Sequence, residues 1–268
     1  MGILFKSLFF LLPCLVFAQE KKKLKIISEE TPFHAFFEVS KREGSPTGQI
    51  IGSDVAIITN ILTKLNVPFE IQLVNWFQLL DMLRNGQADL ALGLEKIPQV
   101  RKIAYFSKYA LRSRNYHFYG LSSEVQNSKS LTLKQARNRN WKVGIMVGYR
   151  YPSIFWDVFP FENKILNKNL EEGNSYQQNI IKLKQKKINL FLADQERMNL
   201  LVRKLGADEI IFQYKNVLYW KDFYISFSKK SNYPHLQDLK KDLDREIYKR
   251  VENDEIPRIH ASWIQQYF

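Results

Sequence analysis

Residues Trp76 to Tyr109 read W-F-Q-L-L-D-M-L-R-N-G-Q-A-D-L-A-L-G-L-E-K-I-P-Q-V-R-K-I-A-Y-F-S-K-Y. Leu79, Leu80 and Leu83 fall on one helical face, Asn85-Gly86 stops the helix, and Ala88 to Gly93 is a short apolar strand beyond a tight turn. The same pattern recurs about a hundred residues on. Ile180, Ile181 and Leu183 form an apolar helix face, Lys186-Lys187 closes it, and Ile188 to Ala193 is again an apolar strand. Asp89 and Asn189 hold equivalent places. A chain that builds one helix-turn-strand unit twice is expected to form two similar lobes with a cleft between them, where small ligands bind.

Outward from these units, strands and helices alternate. Leu24 to Ser28 and Phe69 to Val74 read as strands, and Ser53-Asp54 caps a helix with Val55, Ile58, Ile61, Leu62 and Leu65 on its apolar face. Tyr116 to Leu121 and Phe223 to Ser228 read as extended, and Ser122 to Ser130 is polar and turn-like. Trp141 to Val147 starts the second lobe as a buried strand, and Gln195 to Leu205 is a helix. Leu236, Leu239, Leu243, Ile247 and Val251 mark one long amphipathic helix. The alternation predicts an α/β fold with parallel-rich sheets flanked by helices. The expected division is 19–117 and 226–268 for the first lobe and 118–225 for the second.

Met1 to Ala18 carries Lys6, an apolar run from Leu8 to Phe17 and a Val16-Phe17-Ala18 cleavage pattern. It reads as a secretory signal removed before Gln19, because the run is too short for the roughly twenty apolar residues of a membrane span. A lipid anchor at Cys14 is disfavoured by Pro13. Cleavage removes the one cysteine, so a disulfide framework is excluded and stability must come from core burial. With no sustained heptad to suggest association, a periplasmic monomer is expected.

The chain has 40 Lys+Arg against 27 Asp+Glu, a net charge of +13. The lysines are spread over helix surfaces, and no nucleic-acid motif accompanies them, so the charge reads as solubility and steering rather than nucleic-acid binding. No nucleophile elbow or phosphate loop appears. His34 has no partner at metal-ligand spacing, and His117, His235 and His260 are scattered, so neither a metal nor a cofactor is expected.

Gly86-Gln87-Ala88-Asp89, Ile97-Pro98-Gln99-Val100-Arg101, Tyr105-Phe106-Ser107-Lys108-Tyr109, Lys142-Val143-Gly144-Ile145 with Gly148, and Asp194 after the second echo strand together resemble the family 3 periplasmic solute-binding proteins. The resemblance runs along nearly the whole mature chain. It implies a two-lobed periplasmic-binding-protein-like fold whose crossover strands are Tyr116 to Leu121 and Phe223 to Ser228, closing on its ligand by hinge motion. It implies capture of an amino acid or related polar molecule, zwitterionic or anionic, for the permease of an ABC transporter.

On that resemblance Arg101 meets the ligand carboxylate, since a guanidinium offers two parallel donors, and Asp194 meets the ammonium. Phe33 or His34 covers the ligand, Trp76 forms a wall, and Tyr149 and Arg150 lie on the glycine-led loop of the second lobe. Leu94 and Lys96 stand where relatives carry small hydroxylated residues. The segment between Arg101 and Phe106 is one residue short. Duller roles stand beside these: core packing for Trp76, a surface ion pair for Arg101, and a helix cap for Asp194. Two other function classes remain open: a cleft enzyme resembling cyclohexadienyl dehydratases, with Glu30 or Glu95 as base, and a sensor for a separate receptor.

Overall fold

The computed structural model describes residues 22–40, 45–125 and 129–266, and the signal segment read from the sequence lies outside them. The chain runs through β1 (Leu24–Ser28), β2 (Phe36–Val39), β3 (Pro46–Ile51), α1 (Ser53–Lys64), β4 (Phe69–Leu73), α2 (Trp76–Asn85), β5 (Leu90–Leu94), α3 (Pro98–Ile103), β6 (Ala104–Phe106) and β7 (Arg112–Leu121). It continues through α4 (Leu133–Asn138), β8 (Val143–Met146), α5 (Ser153–Val158), β9 (Leu170–Gly173), α6 (Tyr176–Lys184), β10 (Leu190–Asp194), α7 (Gln195–Lys204), β11 (Ile211–Gln213), β12 (Tyr219–Ser228), α8 (Leu236–Glu252) and α9 (Glu255–Gln266). No helix among the described residues is long and apolar enough to cross a membrane.

The two echoed units form as α2–β5 and α6–β10. Asn75 and Gln78 make a reciprocal capping box at the start of α2, and Ser175 caps α6 through the Gln178 amide. Gly86 ends α2 at φ 71, where a Cβ would lie 2.2 Å from the Lys230 carbonyl oxygen. In the echo Lys186 takes the left-handed position, at φ 56. The equivalence of Asp89 and Asn189 extends to hydrogen bonds. The Lys25 amide donates to Asp89 Oδ2 at 2.9 Å, the Lys142 amide donates to Asn189 Oδ1 at 2.8 Å, and each residue's own amide returns a bond to the same lysine's carbonyl.

The strands depart from expectation in one respect. Two separate sheets were expected; ten strands instead form one mixed sheet, with the main order β4-β1-β5-β12-β7-β10-β8-β9. The cause is strand length. β7 begins at Arg112 rather than Tyr116, and β12 at Tyr219 rather than Phe223. These extra residues pair antiparallel, from Tyr219 with Tyr116 to Phe223 with Arg112, and so carry the hydrogen-bonded ladder across the middle of the molecule. The far half of β12 pairs with β5 and β6 instead.

Side-chain burial is partitioned although the backbone ladder is not. Leu24, Ile58, Leu92, Ile225, Leu243 and Ile256 belong to one cluster, which β5 and α2 extend with Leu79, Leu83 and Ala91. Phe118, Val143, Phe155, Leu192 and Tyr219 belong to another, continued by Ile180, Phe191 and Met198. The parallel strands β1, β4 and β5 sit on the first pair of clusters, and β8, β9 and β10 on the second. Burial at roughly 25 cal/mol per Å² of apolar surface makes each collection the main source of its region's stability.

Candidate functional site

Charged and aromatic side chains from both regions converge where β7 and β12 cross. Glu29 follows β1, Trp76 opens α2 and Glu95 follows β5; Gly148, Tyr149 and Arg150 follow β8, and Arg197 lies in the first turn of α7. Arg114 and Tyr116 alternate along β7, and Lys221 and Phe223 along β12, so each pair faces the same side. Together they line a cavity of about 440 Å³.

Its charges are only partly matched. Lys221 Nζ sits 3.2 Å from Glu95 Oε1, and Arg197 Nη1 donates to the Tyr149 hydroxyl at 2.7 Å. Arg114 is 8% exposed, and its Nε lies 3.7 Å from Glu196 Oε2 without a hydrogen-bond partner among the described residues. Its guanidinium stands over the Phe223 ring at 5.1 Å, and Tyr116 stacks on Tyr219 at 4.5 Å. Burial pushes the Glu29 carboxyl above its usual range. Burial likewise lowers Lys221, with Glu95 opposing it.

Of the residues expected from sequence, Trp76, Tyr149 and Arg150 line this cavity. Phe33, His34, Leu94, Arg101 and Asp194 are not among its lining residues. Phe33 is held at φ 67, with its carbonyl accepting from the Ser53 amide at 2.7 Å. Leu94 packs into the α2–β5 core at 3% exposure. Arg101 is exposed and donates from Nε to the Lys96 carbonyl at 2.8 Å, while Lys96 Nζ lies 3.6 Å above the Tyr224 ring. Asp194 is fully buried: Oδ1 accepts the Arg197 amide at 2.9 Å as the cap of α7, Oδ2 accepts the Tyr176 hydroxyl at 3.0 Å, and Oδ2 lies 3.8 Å from Nε of the cavity-lining Arg197. Glu30 is exposed.

Sequence reasoning passed over Glu29, Arg114, Arg197 and Lys221. The period-two alternation of Arg114 with Tyr116 and of Lys221 with Phe223 was a visible signal, and Arg197 is one helical turn beyond Asp194.

A second cavity, of about 620 Å³, lies beside α9 and is lined by His34, Arg112, Arg114, Glu196, His260 and apolar residues including Ile256 and Ile264. It is the larger of the two, yet its polar groups mostly satisfy one another. His34 Nδ1 and His260 Nδ1 each sit 2.8 Å from Ser53 Oγ, His34 Nε2 is 3.1 Å from Glu196 Oε2, and His260 Nε2 is 2.9 Å from the Leu111 carbonyl. Arg112 Nε donates to Asp54 Oδ2 at 3.2 Å, inside the protein. Histidines more than two hundred positions apart are thus neighbours. The 440 Å³ cavity, to which residues before β7, between β7 and β12, and on both strands contribute, is the stronger candidate for recognising a soluble molecule.

The family model of bacterial extracellular solute-binding proteins, family 3, matches residues 37–266. No curated protein matches the chain in sequence. Among solved structures, a probable amino-acid ABC transporter extracellular-binding protein of Bacillus subtilis is similar at TM-score 0.66 and 16% identity, covering 93% of this chain and 100% of that one. An amino acid ABC transporter substrate-binding protein of Streptococcus pneumoniae bound to L-arginine is similar at TM-score 0.60 and 19% identity, with 91% and 94% covered. The GluR0 ligand-binding core in complex with L-glutamate is similar at TM-score 0.65 and 11% identity, with 92% and 100% covered.

Proposed function

We infer that this chain, which belongs to the family 3 bacterial extracellular solute-binding proteins, captures an amino acid or related zwitterion or anion in the 440 Å³ cavity and presents it, outside the cytoplasmic membrane, to an ABC transporter. The observation that carries the reading is the cavity's charge. The lining carries four cations, Arg114, Arg150, Arg197 and Lys221, against two acids, Glu29 and Glu95; Lys221 is set against Glu95, while Arg114 and Arg197 lie 3.7 and 3.8 Å from Glu196 and Asp194, which are outside the lining. A ligand carboxylate fits between Arg114 and Arg197, both held by neighbours rather than free to wander, with Arg150 at the rim. Its ammonium fits Glu29, and Trp76, Tyr116, Tyr149 and Phe223 wall its apolar portion.

Glu29 and Trp76 precede β7, Tyr149 and Arg197 lie between β7 and β12, and Arg114 and Lys221 stand on the two linking strands. Closure of one region on the other about β7 and β12 brings these groups onto the ligand, and the partition of the cores lets each region move as a lobe. The 1–18 segment as a cleaved export signal agrees with that location.

The test is calorimetric titration with L-glutamate, L-glutamine, L-arginine and small dicarboxylates, with product formation followed alongside. Four lining cations against two lining carboxylates predict that acidic ligands bind more tightly than L-arginine. Arg197→Ala removes one of the two guanidinium partners of a desolvated ligand carboxylate, at about 2–5 kcal/mol, or roughly thirty-fold to several-thousand-fold in affinity. Binding also weakens on acidification. An acid raised by burial favours its neutral form as pH falls through its raised range, and neutral Glu29 cannot pair with an ammonium. Tightest binding of L-arginine, or full affinity in Arg197→Ala, would sink the reading, and turnover of a bound ligand would move the protein to the enzyme class.

A further inference from the structure

The histidine cluster beside α9 brings two imidazole nitrogens to a single hydroxyl. The Leu111 carbonyl can only accept, so His260 Nε2 carries a hydrogen; Glu196 accepts likewise from His34 Nε2. With each ring's hydrogen on Nε2, both Nδ1 atoms present lone pairs to Ser53 Oγ, each at 2.8 Å. That hydroxyl has a single hydrogen and can satisfy one of them.

Asp54 supplies an independent sign that something is missing. It is 1% exposed, Oδ2 is taken by Arg112, and Oδ1 has no hydrogen-bond partner among the described residues. That oxygen points toward the histidines, 4.0 Å from His34 Nδ1. A carboxylate oxygen in a dry site without a partner is costly, and here it faces two nitrogens with the same surplus of electron pairs. The ligand atoms of His34, Asp54 and His260 all lie within 4.8 Å of one another.

We propose that His34 Nδ1, His260 Nδ1 and Asp54 Oδ1, with Ser53 Oγ beside them, form a site for a divalent transition-metal ion of the zinc class. Two imidazoles and a carboxylate suit zinc, copper or nickel over magnesium or calcium. The outer contacts are those that orient metal-bound histidine: each Nε2–H is held by an oxygen, one from a carboxylate and one from a backbone carbonyl, and Asp54 is braced by Arg112. Arg112 and Arg114 oppose the ion's charge while Asp54 and Glu196 offset it, so the site favours ions with strong imidazole affinity. Metal–nitrogen bonds of about 2.0–2.1 Å require the ligands to draw together and Ser53 to turn aside. Glu196 belongs to α7, so a filled site also ties that helix to the side carrying His34.

The full chain, stripped with EDTA, is titrated with zinc chloride at neutral pH. A saturable, one-to-one rise in melting temperature is expected, reversed by EDTA and absent with magnesium. Cobalt(II) in place of zinc should give visible absorption bands of a low-coordinate nitrogen-and-oxygen site. His260→Gln, on a partly exposed helix face, should abolish both signals while melting near the parent in EDTA. His235→Gln, at an exposed histidine outside the cluster, should keep them. The proposal is overturned if zinc gives no saturable rise or if His260→Gln retains it.

Discussion

Arg112 and Arg114 stand two residues apart on β7 and meet different fates. Both are nearly buried, at 6% and 8% side-chain exposure, and both lie over the Phe223 ring. Arg112 has a carboxylate as buried as itself, Asp54 at 3.2 Å, whereas Arg114 reaches only Glu196, at 3.7 Å. Each keeps one buried nitrogen without a hydrogen-bond partner among the described residues, but the charge of Arg112 is met by a buried carboxylate in hydrogen-bond contact and that of Arg114 is not. Residue type and burial are shared; what separates a structural from a recognition residue here is whether the chain has already neutralised it.

The sharpest way to break that contrast is Arg112→Ala. It strands the Asp54 carboxylate, which Arg112 holds below its usual pKa against the pull of burial, and removing one partner of a buried pair costs about 3–5 kcal/mol. Denaturant melts should show that loss, with Arg114→Ala costing less than half as much. Equal losses would erase the distinction.

Asp194→Ala sharpens it from the other side. Asp194 caps α7, accepts the Tyr176 hydroxyl and lies 3.8 Å from Arg197 Nε, so stability should fall by about 1–2 kcal/mol, while ligand affinity falls less than in Arg197→Ala because the guanidinium itself stays. A loss of affinity beyond that of Arg197→Ala in well-folded protein would restore Asp194 as the ammonium partner. The smallest effect belongs to Arg101→Ala. An exposed side chain bonded to the Lys96 carbonyl should change stability by no more than about 0.5 kcal/mol and leave titration curves superimposable.

Periodicity made the echoed units legible, because Leu79, Leu80 and Leu83 and their downstream counterparts face a core whatever surrounds them. Trp76 at the start of α2 and Tyr149 and Arg150 after β8, expected from the sequence, line the 440 Å³ cavity. Arg101 was read by distance from Asp89, but α3 turns it outward, and a count along the chain carries no information about which face of a six-residue helix a side chain takes. The joined sheet was hidden for a related reason: whether Arg112 to Asn115 extend β7 depends on residues 219–223, which no local pattern reveals. The meeting of His34 with His260 is wholly tertiary.

Gly93 lies within β5 at φ 68, and a Cβ there would stand 2.9 Å from Arg112 Nη2 and 3.2 Å from Asp54 Oδ2. The backbone shape alone disfavours a side chain, and the buried pair leaves it no space. Seating a guanidinium against the flank of this strand has thus removed a degree of freedom from the gene. A saturation library at codon 93 should return glycine among functional clones, and variants at 54 and 112 that shrink or abolish the pair would have to arise first before any larger residue could enter.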